Sequence, residues 1–377
     1  MKIAFLSMTF NNNYGGMLQA YSLIRYLKSQ NHEVKLLDVQ LFNPNYFDFI
    51  SSLIKRSILK YVFKRKDITW IFDPNYFKKR KEIIEYNNSY FIDNYIVPKT
   101  NKIFTSRDLQ NQLSANYDAY IVGSDQVWRP SMYKFNEYAF FKGVGKDKIK
   151  LSYAPSFGVD TWEYSKNITF KIREQISEFR AVSVREDSGV ELCKIQLGVN
   201  ATHLLDPTFL LSKDEYLSLI DVESEHQLNH SVDITYYLLD ENPEKLKLIN
   251  EISMINNLKL FKNYKSKNDE SINPYPSVFS WLDSFNKAKY VITDSYHGCV
   301  FSIIFNKPFL VFKNEFRGNA RIESLLRIFN LEDCVIHFDK DCINMLQSKS
   351  YNWTYINQII QNERNKSFEF LTKNLSE

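Results

Sequence analysis

The sequence predicts an α/β protein made of two Rossmann-like domains that face one cleft. Short apolar segments alternate with amphipathic ones along the chain, and this alternation begins a second time after the stretch 205–211. A chain of 377 residues is also longer than one hydrophobic core usually serves, which favours two domains. We expect a first domain at 1–204, a second at 205–350, and a C-terminal helical segment at 351–377 that packs back on the first.

The first domain begins with a strand, a glycine-containing loop, a helix and a second strand, which is the opening unit of a doubly wound sheet. Apolar runs at 2–10 and 34–39 predict the strands, and the apolar residues of 16–29 fall on one helical face. The further predicted elements of this domain are strands at 117–122, 149–154 and 181–184 and helices at 166–179 and 187–197.

The second domain follows the stretch 205–211, which we interpret as a linker because Pro207 restricts the residue before it to extended geometry. Strands and helices then alternate as in the first domain. The predicted strands are 232–239, 257–261, 289–293 and 308–312, and the predicted helices are 243–256, 278–286 and 298–305.

The segment 41–110 is predicted to be a helical, basic insertion in the first domain. Ten basic and three acidic residues lie between Leu41 and Lys81, and apolar residues recur at helical spacing around 49–66. Such a helix can lie on an anionic membrane surface. It can also pack its apolar stripe on its own domain, which is the commoner use of such a stripe.

Composition excludes several classes of protein. Hydrophobic residues make up 44% of the chain and charged residues 24%, which excludes disorder and low complexity. A net charge of +4, with aromatic residues spread through strands and helices, argues against nucleic acid as a partner. The scattered cysteines predict neither a zinc site nor disulfides, and we expect no metal or cofactor. Without a long apolar run or a signal peptide, we expect a cytoplasmic protein with peripheral membrane contact left open.

Ligands of open α/β sheets bind beyond the carboxyl ends of the strands, so the loops there are the candidate sites. In the first loop, Asn13 and Tyr14 precede Gly15 and Gly16 at the start of a predicted helix. The glycines let a ligand approach the backbone, and the helix N-terminus offers N–H groups to an anion. A tight turn in which an asparagine caps the helix is the alternative.

Two further loops of the first domain are polar. Ser124, Asp125 and Gln126 follow the strand 117–122. Ser124 is small and allows close approach, Asp125 and Gln126 suit sugar hydroxyls, and Trp128 offers a flat face to a sugar ring. Alternatively, Asp125 caps a helix and Trp128 belongs to the core. Ser156 lies in a third loop, which equally fits an ordinary Pro/Gly turn.

His297 lies in the corresponding strand-end loop of the second domain, beside Asp294 and Ser295. Histidine suits general acid work near neutral pH, and binds anions when protonated. Arg185 follows the strand 181–184, and Arg321 precedes an apolar helix. Arginine recognises phosphate or carboxylate with two N–H groups. Either arginine could equally form a surface ion pair.

Taken together, these segments resemble the polysaccharide pyruvyl transferase family. The matching stretches are 12–23 (NNYGGMLQAYSL), 117–128 (YDAYIVGSDQVW), 151–158 (LSYAPSFG), 183–187 (SVRED), 205–211 (LDPTFLL) and 293–312 (TDSYHGCVFSIIFNKPFLVF). The resemblance implies a fold of the glycosyltransferase-B type. It also implies transfer of an enolpyruvyl unit from phosphoenolpyruvate onto two hydroxyls of one sugar, free or lipid-linked, to give a cyclic ketal.

The resemblance also implies roles for the loop residues. His297 would act as the general acid or stabilise phosphate, and Asp125 would position or deprotonate an acceptor hydroxyl. The donor would be held by Arg185, Arg321, Ser295 and Gly298, and the acceptor by Asn13, Tyr14, Gly15, Gly16, Ser124, Gln126, Trp128 and Ser156.

The chain departs from the family at Ser295, where members tend to have an arginine two residues before the motif histidine. A glycosyltransferase that uses a nucleotide-sugar donor is therefore the alternative function, because its diphosphate also needs cations. A non-catalytic sugar-binding protein of a surface-polysaccharide assembly complex is a third hypothesis.

Overall fold

The protein is represented by a computed structural model. It describes residues 1–10, 12–40, 54, 57–58, 60–62, 64, 82–223, 225, 227–228, 231–266, 269, 271–314, 318–336, 346 and 348–376. The predicted basic helix around 49–66 therefore lies mostly outside the described residues. Its described apolar side chains are 45% to 70% exposed: Ile54, Ile58, Tyr61 and Val62.

The N-terminal lobe contains a parallel sheet in the order β2–β1–β3–β4. Its strands are β1 (Lys2–Leu6), β2 (Glu33–Leu37), β3 (Ala119–Val122) and β4 (Ile149–Ser152), and a second parallel pair is formed by β5 (Val182–Val184) and β6 (Ala201–His203). A bridge between Leu151 and Ala181 connects the pair to β4. The helices are α1 (Tyr14–Ser29), α2 (Tyr86–Tyr95), α3 (Ser106–Leu113), α4 (Lys166–Ile176) and α5 (Asp187–Leu192).

The C-terminal lobe contains a parallel sheet in the order β11–β10–β9–β7–β8. Its strands are β7 (Val232–Tyr237), β8 (Leu260–Lys262), β9 (Ala288–Thr293), β10 (Phe309–Phe312) and β11 (Val335–Ile336). Its helices are α6 (Lys213–Val222), α7 (Pro243–Asn256), α8 (Val278–Lys287), α9 (Tyr296–Ile304) and α10 (Ala320–Phe329), and α11 (Trp353–Leu375) ends the chain.

The structure confirms the predicted α/β class with parallel sheets. Apart from the helix predicted around 49–66, which lies mostly outside the described residues, every strand and helix named from the apolar pattern is present, with ends shifted by a few residues. The strands β6 and β11 were not predicted, because β6 (Ala-Thr-His) contains no apolar run and β11 has only two residues.

The stretch 205–211 connects the two lobes, and the structure shows that its residues are buried. Pro207–Leu210 forms a turn of 3₁₀ helix whose residues are buried, and Asp206 caps its first turn by accepting from the Thr208 N–H. The apolar side chains of this segment fill the junction between the lobes, where an exposed linker would leave them in water.

The lobes share one continuous apolar core. The Ser22 hydroxyl of α1 and the Tyr216 hydroxyl of α6 lie 2.8 Å apart, which joins the lobes by a hydrogen bond. The last helix, α11, stacks Phe368 on Tyr26 with ring centroids 4.6 Å apart, so it packs on the N-terminal lobe. These contacts fix the cleft between the carboxyl ends of the two sheets.

Candidate active site

A cleft of about 570 Å³ lies between the lobes, at the carboxyl ends of β1, β3, β7 and β9. This is where an open α/β sheet places its ligands. The predicted site residues that line it are Asn13, Tyr14, Asp125, Gln126, Ser295, His297 and Arg321.

The first turn of α1 forms one wall of the cleft. The Asn13 side chain accepts from the Gly16 N–H at 3.0 Å and donates to Asp125 Oδ2 at 2.9 Å. Both interpretations of this asparagine therefore apply, because it caps the helix and also holds a carboxylate of the cleft. Gly15 lies against His297, and a Cβ at this position would fall 2.0 Å from the imidazole Cγ.

Tyr14 is anchored to the C-terminal lobe. Its hydroxyl donates to the Pro276 carbonyl at 2.8 Å, and its ring stacks on Trp281 with centroids 5.3 Å apart. Burial raises the pKa of Tyr14 well above its usual value, so the hydroxyl stays protonated. Tyr14 is also one of the residues that line the cleft.

Asp125 has the unusual backbone angle φ = +70°, in the left-handed region. Aspartate tolerates this region better than most residues, and strain of this kind concentrates at functional sites. Its Oδ1 lies 3.4 Å from Arg185 and 3.8 Å from Arg321. Burial would raise the pKa of Asp125, but Arg185, His297 and Arg321 together hold it below its usual value. The carboxylate is therefore ionised at neutral pH.

Arg185 lies beneath the cleft and does not line it. Its side chain is 0% exposed, and Nη1 donates to Asp206 Oδ2 at 2.8 Å. Its guanidinium also lies 4.3 Å from the ring centroid of Tyr296. Burial would lower the pKa of Arg185, but Tyr296, Asp206 and Asp125 raise it above the usual value. We therefore expect its charge, rather than direct contact, to act on a ligand.

Asp206 belongs to this cluster although the sequence did not single it out. It is 0% exposed, and its Oδ2 accepts from the Ser124 hydroxyl at 2.8 Å as well as from Arg185. Burial would raise the pKa of Asp206, but His297 and Arg185 hold it below its usual range. The available signal was an aspartate directly before Pro207, in the stretch 205–211 that this proline led us to interpret as a linker.

His297 is carried by the first turn of α9. Its imidazole Nε2 lies 3.6 Å from Asp206 Oδ2 and has no hydrogen-bond partner among the described residues. Ser295 caps α9 by accepting from the Gly298 N–H at 3.4 Å. A Cβ on Gly298 would fall 2.2 Å from Thr293 Oγ1, so this glycine lets α9 pack closely on β9 and lies outside the cleft.

Arg321, in the first turn of α10, is the arginine that lines the cleft among the described residues. Its guanidinium lies 6.0 Å from the ring centroid of Tyr296, with Arg185 also close to that ring. Burial and the nearby Arg185 lower the pKa of Arg321 to about 10, which leaves it cationic at neutral pH. The cleft therefore presents one buried cation to a ligand at this point.

Three predicted acceptor residues lie beneath the surface of the cleft. Trp128 is a correction, because its indole is fully buried, stacks on Phe140 at 4.8 Å and donates to the Ala139 carbonyl at 3.1 Å. Its apolar bulk is used in the core and presents no face to the cleft. Ser124 and Ser156 are also buried, and the Ser156 hydroxyl donates to Glu186 at 3.0 Å.

The described residues contain no group of three histidine, cysteine, aspartate or glutamate side chains arranged to hold a metal ion. None of the described helices combines the length and the apolar character that a bilayer crossing requires. The described cysteines are Cys193, Cys299 and Cys334. Each of these three is buried, and none of them forms a disulfide.

Solved structures with the same architecture have very different sequences. A UDP-GlcNAc 2-epimerase from Methanocaldococcus jannaschii is 11% identical, with a TM-score of 0.52 over 96% of this chain and 99% of that one. A UDP-glucosyltransferase from Polygonum tinctorium is 8% identical, with a TM-score of 0.52 over 98% and 94%. The UDP-GlcNAc 2-epimerase from Neisseria meningitidis is 12% identical, with a TM-score of 0.50 over 99% and 100%.

At these identities the likeness concerns the fold, which is the glycosyltransferase-B type with two Rossmann-like lobes around a cleft. No curated protein matches the sequence. The sequence profile of one family, described as polysaccharide pyruvyl transferase, matches residues 13–315 and so includes the loops that form the cleft. The chain therefore belongs to the polysaccharide pyruvyl transferase family and is a transferase.

Proposed function

We propose that the protein transfers a pyruvyl group from phosphoenolpyruvate to a sugar of a surface polysaccharide or its precursor and forms a ketal. The observation that carries this proposal is the meeting of Arg321, His297 and Asp125 at one end of the cleft. The cation comes from α10, the imidazole from α9 and the ionised carboxylate from the loop after β3. Each meets one demand of the reaction.

The donor is an anion with a carboxylate and a phosphate, so it needs positive charge in the cleft. Arg321 supplies a guanidinium that faces the cleft, and Arg185 adds a second charge from beneath. Ser295 occupies the position of the family's arginine but caps α9. We infer that Arg321, from a different helix, takes over donor binding from the missing arginine.

The reaction requires one proton on the methylene carbon of the donor and two new carbon–oxygen bonds. Protonation by His297 gives an oxocarbenium-like centre that the first sugar hydroxyl attacks. The bond from this carbon to the phosphate oxygen then breaks, and the second hydroxyl closes the ketal. Of the two hydroxyl protons, one replaces the proton of His297, and the other is taken by Asp125 and passes to the departing phosphate.

The acceptor side of the cleft is assigned to Asp125. Its carboxylate is held by the Asn13 amide at 2.9 Å and is ionised, so it can accept a hydrogen bond from a sugar hydroxyl and take its proton. Gln126 and Tyr14 also line this part of the cleft. The acceptor is a saccharide, free or attached to a lipid carrier at the cytoplasmic face of the membrane.

The first test compares thermal stabilisation of the purified protein by phosphoenolpyruvate and by a panel of nucleotide sugars. Ligand at about 100 times its dissociation constant adds roughly 2.7 kcal/mol to the free energy of unfolding. We expect a shift with phosphoenolpyruvate that is lost in Arg321→Gln. The matched control is Arg327→Gln, because Arg327 lies on the same helix with its side chain 56% exposed and paired with Asp187.

A shift with a nucleotide sugar and none with phosphoenolpyruvate would replace this proposal with the glycosyltransferase alternative. Incubation with phosphoenolpyruvate and acceptor saccharides should then release inorganic phosphate and add a pyruvyl ketal, detected by mass spectrometry. Retention of acceptor modification in cells that carry only His297→Ala would instead favour a non-catalytic role in an assembly complex.

A further inference from the structure

We propose that the wall of the cleft formed by the C-terminal lobe is a saccharide subsite, which binds a second sugar unit of the acceptor. The acceptor is then at least a disaccharide. Its role as acceptor rests on the proposed function, whereas binding of a saccharide at this wall can be measured without any donor. The residues of this C-terminal subsite, all of which line the cleft, are Tyr237, Asp240, Glu241, Tyr264, Lys265 and Tyr275.

The loop after β7 is tied to the segment that carries His297. The carboxylate of Asp294 accepts from the Leu239 N–H at 2.6 Å and from the Asp240 N–H at 3.1 Å. Asp294 follows β9 directly and precedes His297 in the same strand-to-helix turn. The C-terminal subsite therefore adjoins the reaction centre, and one saccharide can reach from the reacting hydroxyls into the subsite.

Tyrosine rings form the apolar part of the C-terminal subsite. The ring centroid of Tyr237 lies 5.5 Å from that of Tyr264 and 6.1 Å from that of Tyr14, and all three residues line the cleft. A tyrosine ring offers an apolar face to the C–H groups of a sugar, and aromatic residues with a few polar groups are typical of small-molecule sites. Tyrosines of the cleft therefore take the part that the sequence assigned to Trp128.

Tyr275 is anchored to the opposite lobe. Its backbone N–H donates to the Ile84 carbonyl at 2.9 Å, and its carbonyl accepts from the Asn87 side chain at 2.7 Å. Ile84 and Asn87 lie at the start of α2 in the N-terminal lobe, whereas Tyr275 precedes α8. Because the backbone of this residue is already fixed, less conformational entropy is lost when a ligand binds beside it.

Glu241 supplies a carboxylate for sugar hydroxyl groups. Its Oε1 accepts from Lys262 Nζ at 2.7 Å and from the Tyr264 hydroxyl at 2.5 Å. Burial would raise the pKa of Glu241, but hydrogen bonds from Lys262 and from neighbouring hydroxyl groups hold it below its usual value. The group is therefore ionised at neutral pH. A carboxylate offers about four acceptor positions, so it can accept from a sugar hydroxyl in addition to its protein partners.

The charges of the C-terminal subsite favour a neutral saccharide over a nucleoside diphosphate. Asp240 adds a second carboxylate, whose Oδ2 accepts from the Asn314 amide at 2.9 Å. The cation of the subsite is Lys265, and its ammonium group already donates to the carbonyls of Ser271 and Asn273. Two carboxylates beside this engaged ammonium group disfavour a diphosphate, because like charges repel. Sugar hydroxyls meet no such penalty.

The experiment measures saccharide binding to the donor-free protein. An array of mono- and oligosaccharides identifies the disaccharide that binds best, and calorimetric titration compares it with the methyl glycoside of each of its sugars. We expect the disaccharide to bind at least about tenfold more tightly than either methyl glycoside, which corresponds to about 1.4 kcal/mol.

Two substitutions test the residues of the subsite. Tyr275→Ala and Glu241→Gln should each reduce the preference for the disaccharide to within about threefold, because each removes one contact to the second sugar. The control is Tyr355→Ala, since Tyr355 is 46% exposed on α11 and lies outside the cleft. This variant should keep the tenfold preference. If Tyr275→Ala does not fold, Glu241→Gln decides, because it keeps the shape of the side chain.

Several results would overturn the subsite. These are the absence of binding on the array, equal affinity for the disaccharide and its sugars, displacement of the disaccharide by uridine diphosphate, and an unchanged preference in both variants. Failure of the proposed function is a separate result. If no acceptor released phosphate from phosphoenolpyruvate, pyruvyl transfer would be refuted, and the binding data would still decide the subsite. Phosphate release at equal rates with mono- and disaccharide acceptors would keep the proposed function and refute the subsite.

Discussion

The backbone of Gly15 in α1 contacts the His297 imidazole of α9, so residues from the two lobes meet at the base of the cleft. A Cβ at Gly15 would lie 2.0 Å from both the imidazole Cγ and Nδ1. No real Cβ tolerates such a distance, so a side chain at this position would force the imidazole or the backbone of α1 to shift. Glycine at this position is therefore required by close approach rather than by a special backbone angle.

Gly15→Ala should displace the imidazole and abolish most of the transferase activity. We expect kcat to fall at least about 100-fold, because general acid groups contribute factors of that size. The measurement is turnover together with thermal unfolding. The control is Gly145→Ala, where the new Cβ meets only the end of the exposed Asp147 side chain. Equal activity in Gly15→Ala and Gly145→Ala would show that the contact between Gly15 and His297 is not needed for activity.

The strained backbone of Asp125 predicts a difference between two substitutions. Asn tolerates the left-handed region and Ala does not, so Asp125→Ala should be about 1 kcal/mol less stable than Asp125→Asn. Both variants should lose acceptor turnover, because neither side chain can take a hydroxyl proton. Urea denaturation measures this difference in the free energy of unfolding. Identical values for Asp125→Ala and Asp125→Asn would show that the left-handed backbone at residue 125 does not destabilise alanine relative to asparagine.

The two arginines of the site should behave differently on substitution. Arg185→Gln removes the cation from a buried pair with Asp206 and should lower the free energy of unfolding by about 3–5 kcal/mol. Arg321→Gln should cost less stability and raise KM for the donor, because Arg321 faces the cleft. A large KM effect in a stable Arg185→Gln protein would place Arg185, rather than Arg321, in contact with the donor.

Acid should destabilise the protein through the carboxylates of the site. The pKa values of Asp125 and Asp206 lie below those of the unfolded chain, so their contribution is complete above about pH 5. It declines as pH falls from the unfolded-state pKa through the folded-state pKa, because the unfolded chain then binds protons that the folded carboxylates do not. We expect Asp125→Asn to reduce the fall in unfolding free energy between about pH 5 and pH 3. If the free energy of unfolding of Asp125→Asn depended on pH as that of the unaltered protein does, this would argue against ionisation of the buried Asp125 carboxyl.

Trp128 should affect stability and leave acceptor binding unchanged. Trp128→Phe removes the hydrogen bond to the Ala139 carbonyl and part of the stack on Phe140. We expect a loss of about 1–3 kcal/mol in the free energy of unfolding, with KM for the acceptor unchanged. A raised KM at normal stability would return Trp128 to the acceptor site, as the sequence predicted.

Much of the cleft could be located from the sequence because strand ends are local features. The loops around Asn13, Asp125 and His297 were found from the apolar strands before them, and all three side chains line one cleft. The sequence could not rank residues within a loop. Trp128 and Asp125 lie three positions apart in the same loop, yet one is core and the other faces the cleft.

The sequence by itself determined the α/β class, the order of most strands and helices, the family, and the loops that carry the chemistry. Strands and helices are recognisable because apolar residues recur every two residues in a strand and every 3.6 residues in a helix, within a short stretch of sequence. Only the tertiary structure decided that Arg185 lies beneath the cleft, that Arg321 faces it, and that Asp206 joins the site. Asp206 meets Ser124 across 82 positions of sequence, and a contact at such separation depends on how the lobes pack. No local pattern records that packing, because burial and electrostatic pairing are fixed only when the two lobes come together.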